Sequence, residues 1–225
     1  MKPPIISLHH EVADLIRDQI FDGELASGAF IDEMKLCETL SISRTPLREA
    51  LKVLVSEGLL RHETRVGCFV RVLTSKDIDE IFPVLGLLEG RAAFEAALRL
   101  NDADIEALGI WQERLGQLAN DKDIKAYFKT NWVIHESIIA LANNAWLAQV
   151  IAELRRVLRL SRLLQLQLPD RLEKSFSEHE KIFAALKAKN PSDAQEAMKE
   201  HLNQQHQVIR HLVDTSPQLS LTLNP

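Results

Sequence analysis

Apolar residues along this chain recur mostly three and four positions apart, the spacing that gathers them on one face of a helix. Leu47, Ala50, Leu51 and Leu54 follow that rule and predict a helix opening near Ser43 and closing at Gly58. On its other side Arg44, Arg48 and Lys52 stand four residues apart, stacking long cations along one edge. Ser43 or Thr45 is placed to cap the first amides, and Pro46 is tolerated in a first turn whose N–H groups have no intrahelical acceptor. Glu33 to Leu40 predicts a shorter helix and Ser41-Ile42 a turn, so the pair forms a helix-turn-helix whose second helix suits the DNA major groove. Leu59 to Glu63 and Cys68 to Val72 are β-prone and flank Thr64-Arg65-Val66-Gly67, which predicts a hairpin wing. A cation at Arg65 beside a glycine at Gly67, where backbone can come close to a ligand, fits a phosphate or minor-groove contact.

Beyond the wing, Leu73-Thr74-Ser75 marks a boundary, with Thr74 or Ser75 as the cap of the next helix. From there to about Val213 only helical patterns follow, and Asn101-Asp102, Asn120-Asp121, Asn143-Asn144, Pro169-Asp170 and Asn190-Pro191-Ser192 divide them into six helices. Pro83, Gly86 and Gly90 should bend the first, and Ala92-Ala93 and Ala96-Ala97 allow close packing. The expected fold is mainly α: an N-terminal winged helix-turn-helix over residues 1–75, an all-α bundle over 76–213, and a loosely packed tail over 214–225. A bundle of that size can enclose a pocket as well as a core.

Composition changes the picture little. The net charge of −5 looks wrong for a DNA binder. Placement matters more: Asp14, Asp18, Asp22 and Glu24 fall on the first predicted helix and its turn, whereas the recognition helix and wing are basic. Binding should therefore weaken steeply with salt and depend on a few base contacts. Cys37 and Cys68 are too few for a disulfide framework. Neither a membrane-length apolar run nor a signal peptide is visible, which leads to the expectation of a cytoplasmic protein with no membrane partner.

Of the eight histidines, His135, His179 and His201 fall on three different predicted helices. Asn131 precedes His135 by one turn and shares its face. Two readings stay open from the residues alone: ordinary surface or hydrogen-bonded histidines, or ligands converging on one metal ion. Enzyme chemistry finds little support. His135-Glu136-Ser137-Ile138-Ile139 starts like a zinc-protease helix but has Ile139 where the second histidine belongs, and no phosphate loop or nucleophile elbow occurs. A metal-dependent hydrolase is a remote alternative, and the chain is expected not to be an enzyme.

The segment from about Leu8 to Val72 resembles the winged helix-turn-helix of GntR-type transcriptional regulators. It carries that family's Ser-Arg-Thr-Pro-Val-Arg-Glu-Ala-Leu signature as Ser43 to Leu51, with Leu47 for the valine, followed by Gly58-Leu59 and Gly67-Cys68-Phe69-Val70. The resemblance implies that Arg44 and Arg48 contact bases or phosphates, that Ser43 and Thr45 bind phosphate, and that Gly67 sits in the minor groove; Lys52 and Arg65 join them as DNA contacts. Residues 76–213 are similar to the FCD effector-binding domain of the FadR subgroup, through Asn131-Trp132-Val133-Ile134-His135 with Asn143-Asn144, through Glu178-His179-Glu180-Lys181-Ile182, and through His201-Leu202. That resemblance implies a divalent metal (zinc, nickel or manganese) on Asn131, His135, His179 and His201, which in turn binds the carboxylate of a small organic acid.

Two departures qualify it. Asn131 replaces an aspartate, so a neutral amide stands where an anion would attract the cation. Leu85 stands where an arginine commonly pairs with the ligand, leaving Arg155, Arg159 and Arg162, in a run that also includes Arg156, as substitutes or as a solvated face. A metal-free pocket for a more apolar or acyl-type effector is the alternative. The expectation is a homodimeric, ligand-responsive regulator, a repressor rather than an activator, on a pseudo-palindromic operator.

Overall fold

The computed structural model describes residues 8–166 and 168–215, the side chains of 160–165 aside. Among them the chain forms two compact units, one comprising the residues up to Thr74 together with 213–215 and the other spanning Ser75–Leu212.

The first unit holds α1 (Leu8–Phe21), α2 (Glu33–Leu40), α3 (Arg44–Ser56), β1 (Leu60–Glu63) and β2 (Gly67–Val70). Val12, Ala13, Ile16 and Ile20 of α1 bury their side chains in its core, as do Leu47, Ala50, Leu51 and Leu54 of α3, the stripe read from spacing. Arg17 of α1 places Nε 3.0 Å and Nη2 2.8 Å from the Glu57 carboxylate and so ties α1 to the end of α3. Asp32 caps α2 through the amides of Met34 and Lys35, and Ser41 adopts a left-handed φ of 53° that lets the chain turn sharply into α3. Ser43 occupies the cap position of α3 in an extended conformation, but its side chain makes no capping hydrogen bond. Of the two residues expected to cap, Ser43 or Thr45, Ser43 thus does not, and it stays exposed.

The wing is an antiparallel pair with Leu60 opposite Val70 and Glu63 opposite Gly67. Residues 29–31 extend it in a way the sequence pattern did not announce. The Val70 amide donates to the Ala29 carbonyl at 2.9 Å, the Ile31 amide donates to Cys68 at 2.9 Å, and Phe30 bridges Phe69. The base of the wing is thereby tied to the segment that leads into α2.

The second unit comprises six helices: α4 (Ser75–Arg99), α5 (Asp102–Asn120), α6 (Ile124–Leu141), α7 (Ala145–Gln165), α8 (Arg171–Lys187) and α9 (Pro191–Thr215), the last running slightly past the expected end. Asn101 and Asp104 close a reciprocal capping box at the start of α5, and Asp123 caps α6. α4 is helical without a break through Pro83. Its glycines have a packing reason. A Cβ on Gly90 would lie 2.8 Å from Lys199 Cγ and 3.2 Å from the Gln195 carbonyl, so α9 can approach here only because the side chain is missing. No helix among the described residues is long and apolar enough to cross a membrane.

Candidate functional site

In the first unit, Ser43, Arg44, Thr45, Arg48 and Lys52 are all exposed, and they lie at the start and along the outer edge of α3. Arg48 Nε donates to Glu33 Oε2 of α2 at 2.9 Å, and Lys52 Nζ donates to Glu49 Oε1 at 2.7 Å. Such exposed pairs are weak, so phosphates can compete for both cations. A cleft of about 730 Å³ separates this edge from the wing; Arg48, Lys52, His62, Arg65, Val66 and Gly67 contribute to its walls. Arg65 sits at the tip with a φ of 67°. Gly67 adopts a φ of +137°, and a Cβ there would stand 2.9 Å from the Phe30 ring. Glycine is therefore required by the fold of the wing itself, a reason independent of any ligand. Glu33 was not among the residues singled out from sequence, because its link to Arg48 crosses from one helix to the next.

In the second unit, His135 of α6, His179 of α8 and His201 of α9 converge, all of them buried. One ligand nitrogen from each lies within 4.8 Å of the other two, and the ring centroids are 4.6 to 5.2 Å apart. Two carboxylates orient these rings. Glu89 Oε2 of α4 lies 2.6 Å from His135 Nδ1, and Glu178 Oε2 of α8 lies 2.7 Å from His201 Nδ1. With Nδ1–H donating to a carboxylate, Nε2 keeps its lone pair. His135 Nε2 and both nitrogens of His179 are buried with no hydrogen-bond partner among the described residues, whereas His201 Nε2 is 2.7 Å from the Gln205 amide nitrogen, from which it accepts. Burial pushes His135 down to about 3, outweighing the upward pull of Glu89, and it holds His179 well below the usual imidazole range. Both rings are thus neutral at physiological pH, the form a metal ion requires. The donor set fits a borderline cation: three neutral imidazoles whose nitrogens lie within reach of one ion, with carboxylates behind two of them.

Asn131 is half-buried one turn before His135. Leu85 is fully buried one turn before Glu89 and brings no charge. Arg155 of α7 does. It is fully buried, its Nη1 lies 3.6 Å from Glu89 Oε2, and its guanidinium lies 4.3 Å from the centroid of the Trp132 ring. None of its three nitrogens has a hydrogen-bond partner among the described residues. At this position the prospect of a solvated arginine face is corrected: α7 turns Arg155 inward. Arg159 is half-buried, with its guanidinium carbon 5.4 Å from the centroid of Trp132. The side chain of Arg162 lies outside the described residues.

Sequence reasoning passed over Glu89 and Glu178. Glu89 occupies a position of the buried α4 stripe, between Leu85 and Ala92-Ala93, where a carboxylate is costly unless paired. That misplacement was the available signal. Glu178 stands beside His179 in sequence yet serves His201, and it also accepts from buried Arg171 at 2.6 and 3.0 Å. Although burial alone would raise the Glu178 pKa, hydrogen bonds from His201 and Arg171 hold it below the usual carboxylate value.

Comparison with known proteins bears on both units. Residues 8–70 match the bacterial regulatory proteins of the gntR family, and residues 80–204 match the FCD domain. The gluconate operon transcriptional repressor of Bacillus licheniformis is 33% identical over 172 residues, covering 76% of this chain and 69% of that protein. The protein described as "Probable D-xylose utilization operon transcriptional repressor" of Paenarthrobacter nicotinovorans is 31% identical, over 85% of this chain and 84% of its own length. Among solved structures, E. coli McbR/YncC superposes with a TM-score of 0.77 at 26% identity, covering 92% of this chain and 99% of its own.

Proposed function

Because the chain belongs to the GntR family of bacterial transcriptional regulators and carries an FCD effector-binding domain, we propose that it is a homodimeric, cytoplasmic repressor released from or fixed on its operator by a small organic acid. Its family and relatives are regulators, not enzymes. Residues 1–75 serve as the DNA-binding head, with Arg44 and Arg48 reading bases or phosphates, Ser43, Thr45 and Lys52 on phosphate, and Arg65 and Gly67 of the wing in the minor groove. A dimer would place two heads on the half-sites of a pseudo-palindromic operator.

Residues 76–213 bind the effector. His135, His179 and His201 would hold a divalent ion such as zinc, nickel or manganese, with Asn131 as a neutral fourth ligand and Gln205 giving up its hydrogen bond to His201. An ion held there supplies positive charge and open coordination positions for a carboxylate. Glu89 and Glu178 fix the tautomers of His135 and His201. Arg155 offers the ligand's second oxygen a guanidinium that lacks hydrogen-bond acceptors among the described residues, Trp132 covers one side of that guanidinium, and Arg159 and Arg162 extend the cationic run.

One observation carries this reading: a fully buried arginine without hydrogen-bond partners among the described residues stands beside a buried histidine trio. Leaving such donors unsatisfied is costly, and an anionic ligand satisfies them. Effector binding then shifts DNA affinity by as much as it distinguishes the two states of the protein. The test is the metal content of untagged protein purified without chelator, compared with His179→Ala by elemental mass spectrometry. Near-stoichiometric metal lost in the variant supports the centre. Protein free of metal in both, yet with a ligand response that depends on Arg155, moves the assignment to the metal-free pocket, which the Gln205 contact to His201 favours.

A further inference from the structure

We propose that Tyr127 and Ser175 form a second polar subsite for the effector, one that takes a neutral hydroxyl at the end of a short acid remote from its carboxylate. This deepens the organic-acid reading of the histidine site and rests on it.

Tyr127, Asn131 and His135 follow one another at four-residue steps along α6, and Ser175 and His179 do so along α8. Each helix thus carries a buried hydroxyl one or two turns before its histidine. Tyr127 is fully buried and Ser175 nearly so, yet neither hydroxyl oxygen has a hydrogen-bond partner among the described residues. The two side chains are neighbours: burial raises the pKa of the Tyr127 hydroxyl, and the Ser175 hydroxyl counters part of that rise. Two hydroxyls that stand side by side on different helices can both bond to one further group.

The surroundings decide the charge of that group. Arg171, one turn before Ser175, commits both terminal nitrogens to Glu178, at 2.6 and 3.0 Å, and Glu178 also lies 2.7 Å from His201 Nδ1. At Tyr127 the charges of Arg171 and Glu178 pull in opposite senses, and Glu173 adds a further negative one. A second carboxylate on the ligand would therefore shed its water with no uncommitted cation there to receive it. A methyl end fails for a different reason, because it would cover both hydroxyls and leave them unbonded. A hydroxyl end meets both conditions: it is uncharged, and it donates as well as accepts. Its reach is that of a short acid. One helical turn rises about 5.4 Å, a span that about three or four carbons bridge between a carboxylate and a terminal hydroxyl.

The experiment is calorimetry on the full chain as purified. It is titrated with acetate, with 3-hydroxypropionate and butyrate, and with 4-hydroxybutyrate, valerate and succinate. Acetate reports the carboxylate end alone. Butyrate and valerate carry a methyl where the two hydroxy acids carry a hydroxyl, and succinate carries a second carboxylate. In wild type, the hydroxy acid of fitting length should bind about tenfold or more tighter than its methyl analogue, and succinate should bind more weakly than 4-hydroxybutyrate. Tyr127→Phe and Ser175→Ala each remove one hydroxyl with little change of shape. Each should bring the hydroxy acid toward its methyl analogue while acetate binds as in wild type, a split that general loosening of the bundle would not produce; if one variant fails to fold, the other carries the test. Equal affinity for hydroxy and methyl acids at both lengths, or a preference for succinate, would overturn the subsite. So would a hydroxyl preference that survives both substitutions. Failure of acetate and of every longer acid to bind wild type would instead overturn the carboxylate reading beneath it, and the subsite with it.

Discussion

Replacing Arg155 by methionine separates a ligand-binding arginine from a structural one. The change removes a fully buried guanidinium and leaves a side chain of comparable length that packs against Trp132. At 3.6 Å from Glu89 the attraction between the two charges amounts to about 5 kcal/mol at an effective dielectric constant of about 20. The Trp132 face adds about 1–2 kcal/mol. Against these stand the desolvation of a buried cation, several kcal/mol, and the donors left without acceptors. The opposing contributions nearly offset, so without ligand the variant should differ from wild type by no more than about 2 kcal/mol. Thermal unfolding followed by circular dichroism should then move by only about 4–8 °C. Acetate binding, in contrast, should disappear from calorimetry, since the other buried guanidinium at the histidine cluster, that of Arg171, already donates to Glu178 through both terminal nitrogens. A fall in melting temperature well beyond 10 °C together with unchanged acetate binding would refute this reasoning, because Arg155 would then be a structural partner of Glu89.

Three further outcomes follow from the same structure. Arg48→Ala should weaken operator binding by about 5- to 150-fold, the loss of one good base contact, and lower the salt dependence by about one phosphate equivalent, with the oligomeric state unchanged; normal footprinting would remove Arg48 from the interface. Gly67→Val meets both a φ of +137° and the Phe30 ring, so it should cost the N-terminal unit at least about 2 kcal/mol, read as an earlier unfolding of that unit alone in a denaturant titration. Tyr127, the chain's one tyrosine, is fully buried, and burial pushes its hydroxyl above the ordinary value of about 10. A raised folded value means that stability is full below pH 10 and is lost above it, by about 1.4 kcal/mol per pH unit; absorbance at 295 nm should show tyrosinate only as the helices unfold, and a reversible ionisation near pH 10 in folded protein would contradict this.

Much of the architecture was legible because it rests on local rules. The Leu47–Leu54 stripe, a turn at Ser41-Ile42, the wing glycine and the breaks between helices are dictated by side-chain spacing and backbone preference within a few residues. The strand-like addition of residues 29–31 to the wing was not legible, since its hydrogen bonds reach across forty residues to Cys68 and Val70. The unfilled cap at Ser43 is a matter of one rotamer, which residue type does not decide.

The candidate site divides along the same line. Sequence alone determined that a basic helix edge faces outward beside a wing, and that three histidines lie on separate helices, because periodicity says which residues share a face. It could not say that those histidines meet, since that depends on how α6, α8 and α9 pack. Only the tertiary structure turned Arg155 inward from a run of arginines, placed Glu89 between it and His135, and gave Glu178 to His201 instead of its neighbour His179. These are contacts between helices, set by how faces pack together; no spacing along the chain encodes which buried charge will find which partner.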